Sequence, residues 1–165
     1  MLNKMNYLAG LFLVAVLWGE CSAQRTVTLS SPDGTNTIQF FPVSESIENS
    51  PLSFSILRGK ALVLLPSEIK LSAEEIDFAS PYAITHVEET SIRSEWVTDF
   101  GERKNIPDHY NQVKIYLESD TAKLNIIARA YNEGVAFAYE VPKQSDLKTL
   151  HIKEELITYN FLDDF

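Results

Sequence analysis

Cysteine is nearly absent from this sequence of 165 residues, and basic residues are scarce. The single cysteine, Cys21, has no intrachain partner for a disulfide bond, so a folded domain must be stabilised by its hydrophobic core. Lysine and arginine number 14 against 23 aspartates and glutamates, which gives a formal net charge of −9. Because binding of nucleic-acid phosphates needs a basic patch, this balance argues against a nucleic-acid partner.

The sequence also lacks an apolar run of the about 20 residues that a membrane-spanning helix needs. Residues 5–19 are uncharged with an apolar centre, a small-residue run ends at Ala23, and polar residues follow, as in a secretory signal peptide. We predict a leader at residues 1–23, export to the periplasm or the medium, no membrane attachment after cleavage, and one mature domain at residues 24–165. Lipidation of Cys21 is the alternative, although the residue before it is bulkier than such sites use.

Helical periodicity is nearly absent, and apolar and polar residues alternate from Thr26 onward. This alternation is typical of half-buried antiparallel strands bounded by turn residues. We predict an all-β fold, an antiparallel β-sandwich, with turns at residues 32–34, 58–60 and 132–134, the last with a left-handed glycine. The predicted inward residues include Val113, Leu117, Ile126, Ala128, Phe137 and Tyr139.

Three segments interrupt or end this pattern. Residues 72–78 contain helix formers but are too few for a stable helix, so we predict a turn or a short helical connection. Residues 99–111 are polar and broken by Gly101 and Pro107, which predicts a long loop. The last predicted strand is Leu156–Phe161, after which no sign of a finished fold appears, so we expect an incomplete sandwich with exposed apolar surface that favours aggregation.

The sequence contains no recognisable catalytic constellation, and we assign no catalytic residue. The three histidines, His86, His109 and His151, lie at no spacing that would bring two onto one metal, which argues against a zinc site. No serine lies in the sequence pattern of a nucleophile elbow. Acidic residues occur as adjacent pairs, whose members point to opposite faces of a strand and therefore suit a solvated surface better than a glycosidase site. These pairs are Glu74-Glu75, Glu88-Glu89, Glu154-Glu155 and Asp163-Asp164.

Three aromatic residues are candidates for carbohydrate binding: Trp96, Tyr110 and Tyr131. Aromatic rings can stack on sugars, but in a sandwich of this size aromatic side chains are more often used in the core or at an interface. The residues alone leave both interpretations open, so they define an exported all-β domain without a function.

Three segments resemble the N-terminal domain of glycoside hydrolase family 97, a family of bacterial α-glucosidases and α-galactosidases. The first is Leu-Ser-Ser-Pro-Asp-Gly at residues 29–34. The second, at residues 96–112, is similar to the family's run of tryptophan, glycine-glutamate and tyrosine-asparagine. The third covers residues 129–142 and continues at residues 152–155. Ala138 stands where the family usually has arginine, and Glu133 stands where it usually has aspartate.

The resemblance implies a three-part enzyme. Its parts would be an N-terminal sandwich of the galactose-mutarotase-like supersandwich type, a (β/α)₈ barrel with the catalytic carboxylates, and a small C-terminal β-domain. A barrel needs about 250 residues, so this chain would be the accessory domain and inactive alone. Its partners in the full-length context would be the barrel and an α-linked glucoside or galactoside. The alternative is a stand-alone exported sandwich that binds carbohydrate or protein.

The resemblance also implies calcium near the sugar, bound largely by glutamates. Those glutamates would fall beyond Phe165, so we do not expect this chain to bind calcium by itself. Asn132 is the one residue carried over as a candidate oxygen ligand for the metal. The alternative role for Asn132 is to cap the turn in which it lies.

Overall fold

The structure, a computed structural model, describes residues 26–42, 52–76, 78, 82–144 and 147–162. The predicted leader and Cys21 lie outside these residues. The described residues form nine strands in the following order: β1 (Val27–Ser30), β2 (Asn36–Pro42), β3 (Leu52–Arg58), β4 (Ala61–Ala73), β5 (Ala83–Val97), β6 (Asn105–Glu118), β7 (Lys123–Ala130), β8 (Val135–Glu140) and β9 (Ile152–Ile157). Within these ranges, no helix is long and apolar enough to span a membrane.

The strands form two antiparallel sheets that pack face to face. The first sheet has the order β1-β2-β3-β4-β9, and the second has the order β5-β6-β7-β8. Alternation places Val113, Ile115 and Leu117 of β6 on the inner face of the second sheet, where all three are buried. The predicted all-β sandwich is therefore confirmed.

The core lies between the two sheets and draws large side chains from both. Phe40 and Phe54 of the first sheet meet Phe137 of the second, with ring centroids 5.8 Å and 5.2 Å apart. Among the six predicted inward residues, four are buried, and Phe137 and Tyr139 are partly buried against the core. The period-two pattern thus identified the core face correctly.

The turns between consecutive strands follow the sequence closely. Gly34 and Gly59 adopt φ of 73° and 59°, the left-handed region that glycine enters without steric cost. The predicted hairpin between β7 and β8 is present, and Tyr131 and Gly134 exchange backbone hydrogen bonds across it. The prediction that Gly134 is left-handed is wrong, because its φ is not positive.

The prediction of a long loop at residues 99–111 is also wrong. The strand β6 begins at Asn105 and pairs with β5 out to Val97, so the connection covers only residues 98–104. The pairing of β6 with β7 stops at Asn111. At residues 105–110, β6 has no second partner among the described strands, so Pro107 needs no N–H for a ladder there and apolar alternation has no core to face.

The bounds of two other predicted segments also differ. The strand β4 extends to Ala73 and is followed by bends at residues 74–76, which agrees with the predicted turn and not with the alternative of a short helical connection. The last strand is Ile152–Ile157 rather than Leu156–Phe161, and Phe161 makes only an isolated bridge to Leu64. Contact with β4 continues past Ile157, because the backbone N–H of Thr158 donates to the carbonyl oxygen of Glu68 and the N–H of Glu68 donates to the Thr158 hydroxyl oxygen.

Candidate functional surface

The most exposed part of the second sheet is a hairpin arm, which we define as residues 91–109. Among the described strands, β5 packs only against β6, so in the arm neither face is covered. The arm carries large apolar side chains in solvent, with Trp96 54% exposed and Phe100, in its connecting loop, 89% exposed. Exposed apolar side chains grouped in this way are typical of binding surfaces.

A stack of polar and aromatic side chains lies on the outer face of the second sheet, the face that points away from the first sheet. The Cζ atom of Arg129 lies 4.5 Å from the ring centroid of Tyr110. The Nε–H group of Arg129 donates a hydrogen bond of 2.9 Å to Oε1 of Gln112, its cross-strand neighbour. The ring of Tyr131 lies 5.0 Å from that of Tyr110, centroid to centroid. Because Arg129 and Tyr131 pack against its ring, Tyr110 is only 7% exposed.

The three aromatic residues singled out in the sequence share this outer face but are not all in contact. Ile92 is the cross-strand partner of Tyr110, and Trp96 lies four residues further along β5. At the rise of an antiparallel strand, this places Trp96 about 13 Å beyond the pair of tyrosines. Tyr110 and Tyr131 are therefore brought together, Trp96 stands apart, and sugar binding by any of the three stays a prediction.

Asn132 lies in the β7–β8 turn and connects it to the β1–β2 turn. Its Oδ1 atom accepts a hydrogen bond of 3.2 Å from the backbone N–H of Asp33. In the described ranges, one group of acidic and histidine side chains lies close enough together to hold an ion, and Asp33 is not part of it. Calcium takes six to eight oxygen ligands, so Asn132 could hold the ion only together with several further oxygens. Its role as a calcium ligand stays a prediction.

One group of charged side chains was not anticipated from the sequence. Glu74, Glu75 and His151 have ligand atoms within 4.8 Å of one another, and all three residues are exposed. They meet because β4 and β9 pair at Ala73 and Ile152, and because the two glutamates follow the end of β4 rather than alternating along it. The backbone N–H of His151 donates to Oε2 of Glu75, and its ring contacts the same carboxylate. These bonds lower the pKa of Glu75, and the geometry is that of a hydrogen-bonded glutamate–histidine pair between two strand ends.

The described sandwich corresponds to a known enzyme domain. Residues 29–165 match the family model described as "Glycosyl-hydrolase 97 N-terminal". A glycoside hydrolase family 97 enzyme from Pseudoalteromonas sp. strain K8, solved with panose and with acarbose, superposes with a TM-score of 0.72 and 27% identity. The alignment covers 83% of this chain and 20% of that enzyme chain.

A second solved structure is similar to this chain in fold only. A beta-arabinopyranosidase superposes with a TM-score of 0.74 at 21% identity, over 82% of this chain and 21% of that one. The chain thus spans about a fifth of the length of the enzymes that it matches. Since the family model covers nearly the whole sandwich, the chain belongs to the glycoside hydrolase 97 N-terminal family.

Proposed function

We propose that this chain is the accessory β-sandwich domain of an exported α-glycoside hydrolase of the family 97 type. In this role it packs on the catalytic barrel and has no hydrolytic activity of its own. The observation that carries the proposal is the match of residues 29–165 to the N-terminal family model, in a chain that spans only 20% of a similar enzyme. Glycosidases use two carboxyl groups that flank the scissile bond, and the proposal assigns both to the barrel.

The proposed ligand of the full-length enzyme is an α-linked oligosaccharide. Support comes from the similar Pseudoalteromonas enzyme, which was solved with panose and with acarbose. In this proposal Asn132 supplies one oxygen ligand to calcium, and the remaining oxygens come from other parts of the enzyme. Export through the leader at residues 1–23 would place the enzyme in the periplasm or the medium.

Packing on the barrel can be tested in a hybrid enzyme, in which this chain replaces the matching segment of the Pseudoalteromonas enzyme. We expect calorimetry to show that the sandwich and the barrel unfold in one cooperative transition, because apolar surface buried between domains couples their stabilities. Two transitions, one at the temperature at which the isolated chain unfolds, would contradict the proposal.

A second candidate function is a stand-alone module that binds carbohydrate. The exposure of Trp96 on the arm favours it, because an exposed indole ring can stack on a sugar. Titration of panose into the isolated chain tests this candidate. Heat of binding that is lost in Trp96→Ala, but kept in Leu162→Ala at another exposed apolar position, would favour the module. Absence of heat in the unsubstituted chain would exclude it for this sugar.

A further inference from the structure

Arg129 is held in a fixed position without an acidic partner in the described part of the chain. Its guanidinium lies over the Tyr110 ring and its Nε–H group donates to Gln112, while its terminal Nη groups make no hydrogen bond there. Restricting an arginine in this way reduces the entropy that it loses when it binds. The two Nη groups of Arg129 are therefore preorganised hydrogen-bond donors on the outer face of the second sheet.

Charge complementarity identifies what Arg129 can accept. The chain is acidic overall, and another cation of the same face, Lys114, already pairs with Glu140 at 2.6 Å. No corresponding carboxylate reaches Arg129 in the described ranges. Planar guanidinium groups bind carboxylates through two parallel hydrogen bonds, so the missing partner has the chemistry of an aspartate or glutamate side chain.

Apolar side chains lie further along the same outer face as this arginine. Ile92 is the cross-strand partner of Tyr110, and Trp96 follows it along the arm. Both are exposed, and Trp96 is the larger. Tryptophan, tyrosine and arginine are the residues most enriched at the energetic centres of protein interfaces, where aromatic rings and a paired arginine are buried together.

The geometry points to a docking surface, formed by Ile92, Trp96, Tyr110, Arg129 and Tyr131, for the remainder of a family 97 enzyme. That partner presents a carboxylate to Arg129 and apolar side chains to Trp96 and Ile92. The inference rests on the proposed function, since a similar enzyme has 80% of its chain, 100 minus 20, outside the alignment. A neutral oligosaccharide such as panose offers no carboxylate, which favours a protein partner.

Hydrogen–deuterium exchange on the isolated chain and on the hybrid enzyme tests this surface. We expect backbone amides of residues 92–96 and 129–131 to exchange about tenfold or more slowly in the hybrid, as anchoring at an interface centre implies. Arg129→Met and Trp96→Ala should remove most of this protection. Each variant is compared with its own isolated chain, so any loosening within the sandwich cancels from the ratio.

Arg93→Met is the matched control, because Arg93 is an exposed arginine on the same arm whose side chain points to the opposite face of the sheet. It should leave the protection unchanged. Equal protection in Arg129→Met and Arg93→Met, in a hybrid that unfolds in one transition, would overturn the docking surface and leave the proposed function intact. Two independent transitions would contradict both. Protection that appears in the isolated chain as its concentration rises would assign the surface to a second copy and overturn the inference.

Discussion

Asn36 joins the two sheets of the sandwich through Tyr131. The Nδ2 group of Asn36, in β2, donates hydrogen bonds of 3.0 Å to the carbonyl oxygen of Tyr131 and 2.8 Å to that of Asn132. Asn36 is 5% exposed, and its Oδ1 atom accepts a further bond from Arg58. The buried side-chain amide of Asn36 therefore holds the β7–β8 turn, together with the nearby Tyr131, against the first sheet.

Replacing this amide should be costly. We expect Asn36→Ala to lower the free energy of unfolding by about 2–3 kcal/mol, because two carbonyl groups and one guanidinium lose a hydrogen-bond partner at a partly buried site. Urea denaturation measures the change. Asn105→Ala, at an exposed asparagine at the start of β6, should change the stability by less than about 0.5 kcal/mol. Equal effects of the two substitutions would show that the link between the sheets contributes nothing.

The aromatic core predicts that alanine substitutions of two phenylalanines differ widely in their effect on the free energy of unfolding. Phe54 is fully buried beside Phe40 and Phe137, so Phe54→Ala should cost about 3–5 kcal/mol through lost burial and a residual cavity. Phe100→Ala removes an exposed ring in the arm loop and should leave the free energy of unfolding almost unchanged. A loss of several kcal/mol on Phe100→Ala would mean that the arm is packed inside the isolated chain.

Tyr139 has a hydroxyl group that finds no hydrogen-bond partner among the described residues although it is buried. Burial first, and then the charges of Glu155 and Tyr159, raise the pKa of this hydroxyl well above its ordinary value. Tyr139→Phe removes the buried polar group and keeps the ring, so we expect equal stability or a gain of about 1 kcal/mol. Tyr159→Phe, at an exposed ring, is the control. A clear loss of stability in Tyr139→Phe alone would reveal a partner for the hydroxyl.

The ion pair between Lys114 and Glu140, on the outer face of the second sheet, predicts that the stability of the fold depends on pH. Hydrogen bonds from Lys114 and then Asn125 hold the pKa of Glu140 below its ordinary value. An unperturbed glutamate titrates near about 4.3, so on acidification the unfolded chain takes up the proton first. The stabilisation by Glu140 is therefore fully present above about pH 5 and is lost as the pH falls through the lower pKa of the folded state.

This dependence can be measured by urea denaturation of the unsubstituted chain and of Glu140→Gln at several pH values. The two should differ in stability at pH 7 and converge as the pH falls towards 3, because protonation makes Glu140 resemble the amide. The control is Glu95→Gln, at an exposed glutamate that makes no ion pair in the described part of the chain. A gap that stays constant between pH 7 and pH 3 would contradict the assigned role of Glu140.

The fold was predictable wherever one strand face meets the core. Val113 lies between the polar residues Gln112 and Lys114 because burial selects every second side chain, and that pattern is visible in sequence. In the arm, no core selects residues, so the first part of β6, at residues 105–111, resembled a loop. Their structure depends on pairing between β5 and β6, which leaves little trace in either segment alone.

The candidate surface was only partly predictable, for a related reason. Trp96, Tyr110 and Tyr131 stood out as aromatic residues, but their separation and the burial of Tyr110 depend on strand register. Arg129 gave no signal, because a charged residue at an outward position is ordinary in any strand. Glu75 and His151 are 76 residues apart and meet only because β9 returns to pair with β4.

We propose that this sandwich serves a family 97 glycosidase and does not hydrolyse by itself. The most direct measurement is nitrophenol release from nitrophenyl α-glucoside and α-galactoside by the isolated chain, by the Pseudoalteromonas enzyme without its matching segment, and by the hybrid. We expect that, of these three, only the hybrid releases nitrophenol. Release by the isolated chain, or a hybrid no more active than the enzyme without the segment, would contradict it.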